Sequence, residues 1–475
     1  MAFLIGGANS AADTGYDVDN SCRFDTGGTA EMHKTPGSAG NLDAWTFSCW
    51  VKRSRVGAGS TQSIYGVYAD ANNQETLAFD SGGNVDKLYW QLYQSGSVVG
   101  QLTTNRLFRD VSAWYNIVVS YDSANGTAGN RMRMWINGTE ETSFATDTNP
   151  SSGLDSAWNG TTKHQIGCIT TANHFDGYMA EVVSLDGTAV TDASNFGEFD
   201  SASPTIWKPI DVSGLTFGTN GFYLDFKASG NLGNDANGGT DLTEVNLAAT
   251  DQTTDTPTNN FATMNPLSTA VSYKPTFSQG NLQSVSPVYG AGLAISTIGA
   301  TSGKWYAEMY NVAYASLDRG SVGITGDPTG TLIYAAEADH NIGALTTSLD
   351  VGYLADGQKR IGNSYSSYGD SFAVDDIISI ALNVDDDEVI FYKNGTAQAS
   401  GSAISFTSGG TYHFVTSSSS NGGGNTWVIN FGQEGSFNGN ATAGGNADEA
   451  GYGDFFYSPP SGFYALCTKN LAEYG

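Results

Sequence analysis

The chain has 475 residues and a formal net charge of −28 at pH 7, and it exceeds the length that one hydrophobic core usually supports, which favours two domains. The acidic charge argues against a nucleic-acid-binding protein, since that class needs a basic surface to displace counterions from phosphate. No apolar run approaches the roughly 18 to 20 residues of a membrane span, so membrane insertion is not expected.

The composition is typical of short strands joined by tight turns. Glycine accounts for 60 residues and aromatic residues for 12 % of the chain, whereas helix-forming residues hardly cluster. No long stretch keeps the helical period of 3.6 residues. The sequence therefore predicts an all-β protein.

The opening peptide, residues 1–8, is apolar and contains two glycines. It is too short for the apolar core of a signal peptide and lacks a basic start, so we expect it to remain on the mature protein. Such a peptide is either a disordered end or a docking arm. In the second case Phe3, Leu4 and Ile5 would bury their side chains against a partner.

Period-2 alternation predicts several strands in the first half of the chain. The clearest alternation covers residues 114–121, and an earlier one covers residues 45–51. Asn137-Gly138 lies between residues 131–136 and 139–142 and predicts a hairpin, because a type I′ turn needs two positive φ angles. Further strands are expected at residues 87–93, 163–169 and 175–184.

The second half repeats this arrangement. Residues 376–384 alternate, and residues 388–393 lead into Asn394-Gly395, a second hairpin signal. Residues 303–310 and 427–431 complete a second set of strands. These patterns predict two antiparallel β-sandwich (jelly-roll) domains in tandem.

Shifts in composition indicate the domain boundaries. An Asn/Asp/Thr-rich segment lies between the two sets of strands, and it is either a linker or a segment that packs on its neighbours. The end of the chain is glycine-rich and then aromatic, and we expect it to dock on a surface of its own chain or of a partner. The predicted order is an N-terminal docking arm (1–15), a first sandwich (16–230), a connector (231–284), a second sandwich (285–435) and a Gly/aromatic C-terminal tail (436–475).

The four cysteines, Cys22, Cys49, Cys168 and Cys467, are widely spaced and form no CxxC pair. Zinc is therefore not expected from the sequence. Cys49 shares the apolar face of the strand at 45–51 and is predicted to be a buried free thiol. A chain of this size has enough core to do without disulfides, and assembly in a reducing cytoplasm would fit.

Two stretches resemble known families. Residues 16–205 resemble the laminin G-like, concanavalin A-like jelly-roll domains. The resemblance is carried by WTFSCWVK (45–52), WYNIV (114–118), MWING (134–138) and FDGYMAEV (175–182). Residues 285–435 resemble a SPRY domain through GKWYAE (303–308), SVGI (321–324), GD (369–370), FYKNG (391–395) and NFGQ (430–433).

The pairing of these modules resembles a type of virion protein in marine bacteriophages. That resemblance includes the opening peptide, the segment DTPTNNFATMNPL (255–267) and the ending PPSGFYALCT (459–468). It implies a non-enzymatic virion structural protein on the exterior of the tail or capsid, assembled in the host cytoplasm. The expected role is a tail fibre or appendage that adsorbs to the host through a glycan or a surface protein.

Other roles stay open at this point. The apolar opening and aromatic ending would also suit a capsid decoration protein, either a head-stabilising protein or a head fibre. In both cases the expected partners are other virion proteins and further copies of the same chain. A polysaccharide depolymerase is the third alternative.

The enzymatic alternatives lack their motifs. Jelly-roll glycoside hydrolases commonly carry two carboxylates on an E-x-D-x-(x-)E strand. Here Glu198 and Asp200 are followed by Ala202 and Ser203 where the second glutamate should stand. No G-x-S-x-G elbow, P-loop or H-E-x-x-H motif occurs.

Glycan binding needs aromatic platforms beside polar loop residues. The candidates in the first domain and then in the second are Trp90, Tyr93, Trp158, His174, Tyr365 and Tyr368. The alternative is that the tryptophans belong to the core and the tyrosines are ordinary loop residues. Laminin G-like domains often hold calcium at a sandwich rim, so no cofactor other than calcium is considered, with Asp70, Asn72 and Asp122 as the weak candidates.

Overall fold

The computed structural model describes residues 4–5, 15–25, 27–57, 59–267, 274–287, 292–313, 320–329, 342–418 and 425–475. The chain divides into an N-terminal unit, Ala12–Thr258, and a C-terminal unit, Met1–Ala11 together with Asn259–Gly475. Both units consist mainly of antiparallel sheets, so the prediction of an all-β sandwich protein is confirmed.

The described residues form strands throughout both units. The first nineteen are β1 (Leu4–Ile5), β2 (Ser21–Phe24), β3 (Glu31–Lys34), β4 (Ala44–Arg53), β5 (Gln62–Asp70), β6 (Asn73–Phe79), β7 (Leu88–Gln94), β8 (Ser97–Thr104), β9 (Trp114–Asp122), β10 (Met132–Ile136), β11 (Thr139–Glu140), β12 (Phe144–Thr148), β13 (His164–Ile166), β14 (Gly177–Asp186), β15 (Glu198–Phe199), β16 (Trp207–Lys208), β17 (Phe222–Leu224), β18 (Thr243–Val245) and β19 (Gln252–Thr253). The remainder are β20 (Thr276–Ser278), β21 (Gln283–Val285), β22 (Gly292–Ile295), β23 (Ile298–Gly299), β24 (Lys304–Ala313), β25 (Ser321–Thr325), β26 (Asp350–Leu354), β27 (Gln358–Ile361), β28 (Ser364–Ser367), β29 (Ile377–Asn383), β30 (Glu388–Lys393), β31 (Thr396–Ala397), β32 (Ile404–Ser405), β33 (His413–Ser418), β34 (Thr426–Asn430) and β35 (Tyr464–Ala465).

Each strand that the alternation predicts is present, with its ends displaced by a few residues. The largest differences are at residues 163–169, where β13 covers three residues, and at 139–142, where β11 covers two. β13 ends where Gly167 adopts a positive φ angle of 84° and the chain turns away from the sheet.

Two large sheets enclose the core of the N-terminal unit. One has the strand order β11-β10-β9-β4-β14-β2-β19, with β17 beside β14, and the other has the order β12-β8-β7-β6-β5-β13-β3-β18. Trp45, Phe47 and Cys49 alternate along β4 and are fully buried in this core. The prediction of Cys49 as a buried free thiol is confirmed.

The sheet that contains β4 is covered on both faces. On the face opposite the main core, Val183 of β14 packs with Val118, Trp135, Phe196 and Phe217. This outer apolar layer explains why every residue of β14 is buried, in place of the half-buried alternation of a solvent-facing strand.

Residues 231–284 do not form a separate connector, which corrects the predicted boundaries. β18 pairs with β3 and β19 pairs with β2, so the first unit continues to Thr258, while β20 and β21 pair with each other inside the C-terminal unit. The polar segment packs because its charge is paired: Lys52 Nζ donates to Asp255 Oδ2 over 2.6 Å, with both side chains buried.

The C-terminal unit contains two larger sheets. Their orders are β20-β21-β34-β24-β29-β30-β31, with β32 beside β30 and β35 beside β24, and β22-β33-β25-β26-β27-β28. Trp305 and Met309 of β24, Ile380 of β29 and Trp427 of β34 contribute to its buried core. The core again lies where period-2 alternation predicts it.

The C-terminal tail packs on its own unit. The sequence alone left open whether the tail docks on its own chain or on a partner. Phe455 lies edge-on to Tyr306 with ring centroids 5.0 Å apart, and Leu466 is buried in the unit's core. The tail ends in a short helix, α1 (Thr468–Tyr474), which the sequence did not predict, and its Leu471 joins the same core.

The predicted docking arm is described at Leu4–Ile5 alone. β1 pairs in parallel with β23, so these two residues join the C-terminal unit of their own chain through backbone hydrogen bonds. Phe3 lies outside the described residues. Docking of the arm on a partner stays a prediction.

Candidate functional site

A surface groove in the C-terminal unit is the best-formed candidate site among the described residues. It has a volume of about 470 Å³, within the range of small-molecule sites. Its lining is mainly polar and consists of Ser367, Tyr368, Gly369, Asp370, Thr396, Ala397, Gln398, Ala399 and Ser400. The strands β28 and β31 lead into its two walls.

A buried glutamine joins the two walls of the groove. Gln398 accepts a hydrogen bond from the Asp370 backbone N–H over 2.8 Å and donates to the Thr396 carbonyl over 2.9 Å. Tyr353 donates its hydroxyl to the Asp370 carbonyl. A Cβ on Gly369 would lie 2.6 Å from Gln398 Oε1, so this close approach requires glycine. The groove is therefore held in shape before any ligand arrives.

The floor of the second wall contains two strained residues. Ala399 and Ser400 have φ angles of 50° and 56°, in the left-handed region that side chains other than glycine rarely adopt. Strain of this kind persists only where the surrounding structure imposes it, and it concentrates at binding and catalytic sites.

Two tyrosines with cations over their rings lie on or next to β28, the strand that leads into the groove, and one of them, Tyr368, lines it. Tyr365 is 41 % exposed, and the Arg360 guanidinium lies over its ring at 4.7 Å from the centroid. Lys359 Nζ lies 5.6 Å from the ring centroid of Tyr368, and burial raises the pKa of that tyrosine. Arg360 also donates to Asn363 Oδ1 over 2.6 Å, which fixes the guanidinium under the exposed ring. The sequence candidates Tyr365 and Tyr368 thus come together at one edge of the C-terminal unit.

The tryptophan candidates of the N-terminal unit are corrected by the structure. Trp90 and Trp158 are fully buried and contact Trp45 in the core, so neither presents a ring face to a ligand. Trp90 alternates with Leu88 and Leu92 along β7, which places all three side chains on the buried face.

Each of the two buried indole N–H groups has an acceptor: Trp158 Nε1 donates to Ser184 Oγ over 3.0 Å, and Trp90 Nε1 donates to the buried carboxylate of Glu75. Glu75 accepts hydrogen bonds from Trp90 Nε1 (3.1 Å), Ser156 Oγ (2.7 Å) and the backbone N–H of Ala157 (3.0 Å). Burial raises the pKa of Glu75, and these donors oppose that effect. The position is structural, and the sequence carried no signal for it.

The other two N-terminal candidates have separate surroundings. Tyr93 donates its hydroxyl to the Gly96 carbonyl over 2.8 Å inside the β7–β8 hairpin. His174 lies in the loop after β13, with Nδ1 3.4 Å from the Ala30 carbonyl oxygen. Neither side chain joins the two tryptophans in one site.

The calcium candidates serve local turns. Asp70 accepts from the Asn72 backbone N–H over 2.7 Å, and Asp122 accepts from Asn125 Nδ2 over 3.0 Å. The two aspartates end strands of different sheets, β5 and β9. Among the described residues, the metal-ligating side chains that converge within 4.8 Å are Glu31, Cys168 and His174.

The acids expected of a jelly-roll hydrolase lie on a two-stranded hairpin. β15 pairs with β16, and Lys208 of β16 forms ion pairs with Glu198 (3.3 Å) and Asp200 (3.6 Å). The backbone N–H of Ser203, followed by smaller contributions that include Lys208, lowers the pKa of Asp200, which is opposite to the raised pKa that a general acid needs. Within the described part of the chain, no helix has the length and apolar character required to cross a bilayer.

The comparisons with known proteins agree with this architecture in part. Residues 26–193 match the family model of the concanavalin A-like lectin/glucanases superfamily. No curated protein sequence matches the chain.

The overall similarity of this chain to the solved structures is weak. The SPRY domain of human HERC1 is 20 % identical, with a TM-score of 0.29 and coverage of 35 % of this chain and 96 % of that one. Domains LG4-5 of the mouse laminin alpha1 chain are 10 % identical, with a TM-score of 0.30 and coverage of 89 % and 85 %. Domain 4 of the arabinanase AbnA from Geobacillus stearothermophilus, solved with arabinotriose, is 16 % identical, with a TM-score of 0.23 and coverage of 32 % and 64 %.

The family match covers less than half of the chain and concerns the N-terminal unit alone. The match shows a laminin G-like, concanavalin A-like domain, which is a lectin-type fold, in the N-terminal unit. The C-terminal unit is a second β-sandwich.

Proposed function

We propose that this chain is a non-enzymatic virion protein that adsorbs to a host glycan through the groove of its C-terminal unit. The observation that carries the proposal is the polar groove of about 470 Å³, together with the exposed Tyr365, which lies on β28 two residues before the groove-lining Ser367. A lectin-type fold in the N-terminal unit supports a binding role for the whole chain.

The lining chemistry favours a neutral sugar over other small ligands. Hydroxyl groups of Ser367, Thr396 and Ser400 and the carboxylate of Asp370 offer both donors and acceptors to a polyhydroxylated molecule. The hydrogen bonds that the structure shows for Asp370 run through its backbone, and its side chain is exposed. An apolar ligand would gain little here, and the net charge of −28 disfavours an acidic polymer.

The exposed ring of Tyr365 supplies the apolar platform. An amphipathic tyrosine presents a large contact area at low entropic cost, because it has few rotatable bonds. Arg360 already holds this ring from one side, so little further ordering is needed when a sugar stacks on the other.

The binding test is titration of the purified full chain with host surface glycans, followed by calorimetry. Asp370→Asn and Tyr365→Ala should each weaken glycan binding about tenfold or more, without changing the melting temperature. Phe199→Ala is the matched control, because Phe199 is 45 % exposed and lies in the N-terminal unit, outside the groove. Equal binding by all three variants would refute the groove as the glycan site.

The virion role is tested separately. Mass spectrometry of purified particles should detect the chain, with a few to a few dozen copies for a tail appendage and hundreds for a capsid decoration protein. Release of reducing ends from host polysaccharide by the purified chain would overturn the non-enzymatic assignment and favour a depolymerase.

A further inference from the structure

A cluster of three metal-ligating side chains lies at the edge of the N-terminal unit. Glu31 belongs to β3, and Cys168 and His174 belong to the loop that follows β13. One donor atom from each of them lies within 4.8 Å of the others. Glu31 and Cys168 are buried while His174 is half-buried, so the cluster is closed from the core side and reachable from solvent beside the imidazole.

A strained loop brings the two later residues to the glutamate. β13 pairs with β3, and the chain then doubles back, so that the Phe175 backbone N–H donates to the Gly167 carbonyl over 2.7 Å. Inside this loop Thr170 and Asn173 have φ angles of 64° and 57°. Left-handed conformations at two residues other than glycine are costly, and here they fold Cys168 and His174 onto the same side of Glu31.

The two oxygens of Glu31 have different surroundings. Oε1 lies 3.2 Å from His33 Nδ1 and 3.5 Å from Lys163 Nζ, whose ammonium group balances the charge of the carboxylate. Oε2 lies 2.5 Å from Cys168 Sγ. One oxygen therefore faces Lys163 and His33, and the other faces the thiol.

Gln165 adds a polar group to the cluster. Its Nε2 lies 2.8 Å from Glu31 Oε2, 3.0 Å from Cys168 Sγ and 2.7 Å from the Thr170 carbonyl oxygen. The Cys168 thiol also donates to Glu31 Oε2, so the thiol and amide hydrogens suffice for the carboxylate and the Thr170 carbonyl. A metal cation would replace the thiol hydrogen between Cys168 Sγ and Glu31 Oε2.

We propose that Glu31, Cys168 and His174 bind a zinc ion. Thiolate, imidazole and carboxylate form a donor set that zinc accepts, whereas calcium requires six to eight oxygens. With Nδ1 donating to the Ala30 carbonyl oxygen over 3.4 Å, Nε2 is the unprotonated nitrogen that would be available to zinc, which is the usual tautomer of a zinc-bound imidazole. Three protein ligands leave a fourth tetrahedral position for water.

Only a small adjustment is needed to admit the ion. With bonds of about 2.3 Å to sulfur and 2.0–2.1 Å to oxygen or nitrogen, tetrahedral zinc holds its ligands about 3.4 to 3.6 Å apart. Cys168 Sγ and Glu31 Oε2 would separate by about 1 Å, which side-chain rotation can supply. The ion would tie the loop after β13 to β3, and binding to the folded state alone would raise the melting temperature of the N-terminal unit.

The test uses the full chain stripped of metal with a chelator and titrated with Zn²⁺, and in parallel with Co²⁺. We expect one zinc per chain in the N-terminal unit, a higher melting temperature, and a thiolate-to-Co²⁺ charge-transfer absorption that identifies Cys168 as a ligand. His174→Asn should weaken zinc binding about 100-fold, and Cys168→Ser should abolish the cobalt absorption.

Cys22→Ser is the matched control for Cys168→Ser, because Cys22 is also a buried free cysteine of the N-terminal unit but lies outside the converging set. It should keep full zinc affinity and the cobalt absorption. His174→Asn changes a half-buried side chain and keeps the proposal testable if Cys168→Ser fails to fold. Stoichiometric zinc binding that is unchanged in His174→Asn, or no binding by the wild-type chain, would overturn the proposal.

Discussion

Both units bury a glutamate whose pKa burial raises to about 7, but the donors that hold it differ. Glu181 of the N-terminal unit accepts from the hydroxyls of Tyr16 (3.0 Å) and Tyr223 (2.8 Å). Glu308 of the C-terminal unit accepts from backbone N–H groups of the C-terminal tail. A hydroxyl can rotate to another acceptor, whereas a backbone N–H cannot. Loss of the Glu308 carboxylate should therefore destabilise its surroundings more than loss of the Glu181 carboxylate.

The two Asn-Gly hairpins, in contrast to the two buried glutamates, have the same local structure in both units. Residues 137–138 have φ angles of 48° and 74°, and residues 394–395 have 50° and 76°. In each turn the asparagine Oδ1 accepts a backbone N–H, from Asn116 over 2.8 Å or from Ile377 over 2.9 Å. Comparable local sequence thus gives comparable turns in both units, while the buried acids acquire their roles from distant segments.

The largest loss of stability is expected from Glu308→Ala, which removes the acceptor of two backbone N–H groups. The backbone N–H groups of Phe456 and Tyr457, which donate to the carboxylate over 2.8 and 2.7 Å, would lose their partner. At about 1 to 3 kcal/mol for each unsatisfied buried donor, we expect a loss of about 3 to 4 kcal/mol in the stability of the C-terminal unit. Denaturant unfolding and limited proteolysis of the tail measure it.

Glu181→Ala is the comparison variant. Its two donors lie 3.3 Å apart and can bond to each other, so a loss of about 1 to 2 kcal/mol is expected in the N-terminal unit. Equal losses in the two variants would show that the identity of the donors is unimportant.

The pH dependence of unfolding should sharpen the comparison. A pKa raised from 4.5 to about 7 means that Glu308 contributes its full stability below pH 4.5 and that this contribution is lost as pH rises to about 7. The loss amounts to about 3 kcal/mol at 1.36 kcal/mol per pH unit. Glu308→Gln should remove that slope from the C-terminal transition and leave the N-terminal transition unchanged. A parallel pH profile in the variant would contradict the assignment.

The smallest effect, and the same one in both units, is expected from the hairpin asparagines. Asn137→Ala and Asn394→Ala each place a side chain without hydrogen-bonding ability in a left-handed conformation, at about 1 to 2 kcal/mol. The glycine variants Asn137→Gly and Asn394→Gly keep the conformation and lose only the Oδ1 hydrogen bond, so they should cost less. Thermal unfolding of the four variants measures these losses of stability. Unequal losses at the two turns would show that the turns are not energetically equivalent.

Local patterns in the sequence predicted most of the fold. Alternation placed the strands, and Asn-Gly placed both hairpins, because these signals depend on neighbouring residues. Alternation along β7 also contained the evidence against Trp90 as a ligand platform, since Leu88 and Leu92 share its face. Trp158 lies in a loop without such a pattern, and its burial depends on packing that a single sequence does not reveal.

The sites depend on residues that are far apart in the chain. Cys168 is 137 residues from Glu31, and no spacing rule connects them. The groove was half predicted: Tyr365 and Tyr368 were identified as aromatic loop residues, but the opposite wall, with Gln398, is joined to them only by the fold. The contact of Glu308 with the tail also joins residues far apart in the sequence, because Phe456 is 148 residues from Glu308.

The pairing of β1 with β23 has a consequence for synthesis. Leu4 pairs with Ile298, so the opening residues must wait for 294 further residues, or roughly 15 to 60 s of translation at about 5 to 20 residues per second. Residues 12–258 have emerged by then and can fold as a unit, while the core of the C-terminal unit still awaits Leu466 and Leu471. Translation therefore imposes an order of assembly in which a segment made before the whole N-terminal unit is among the last to reach its place in the fold.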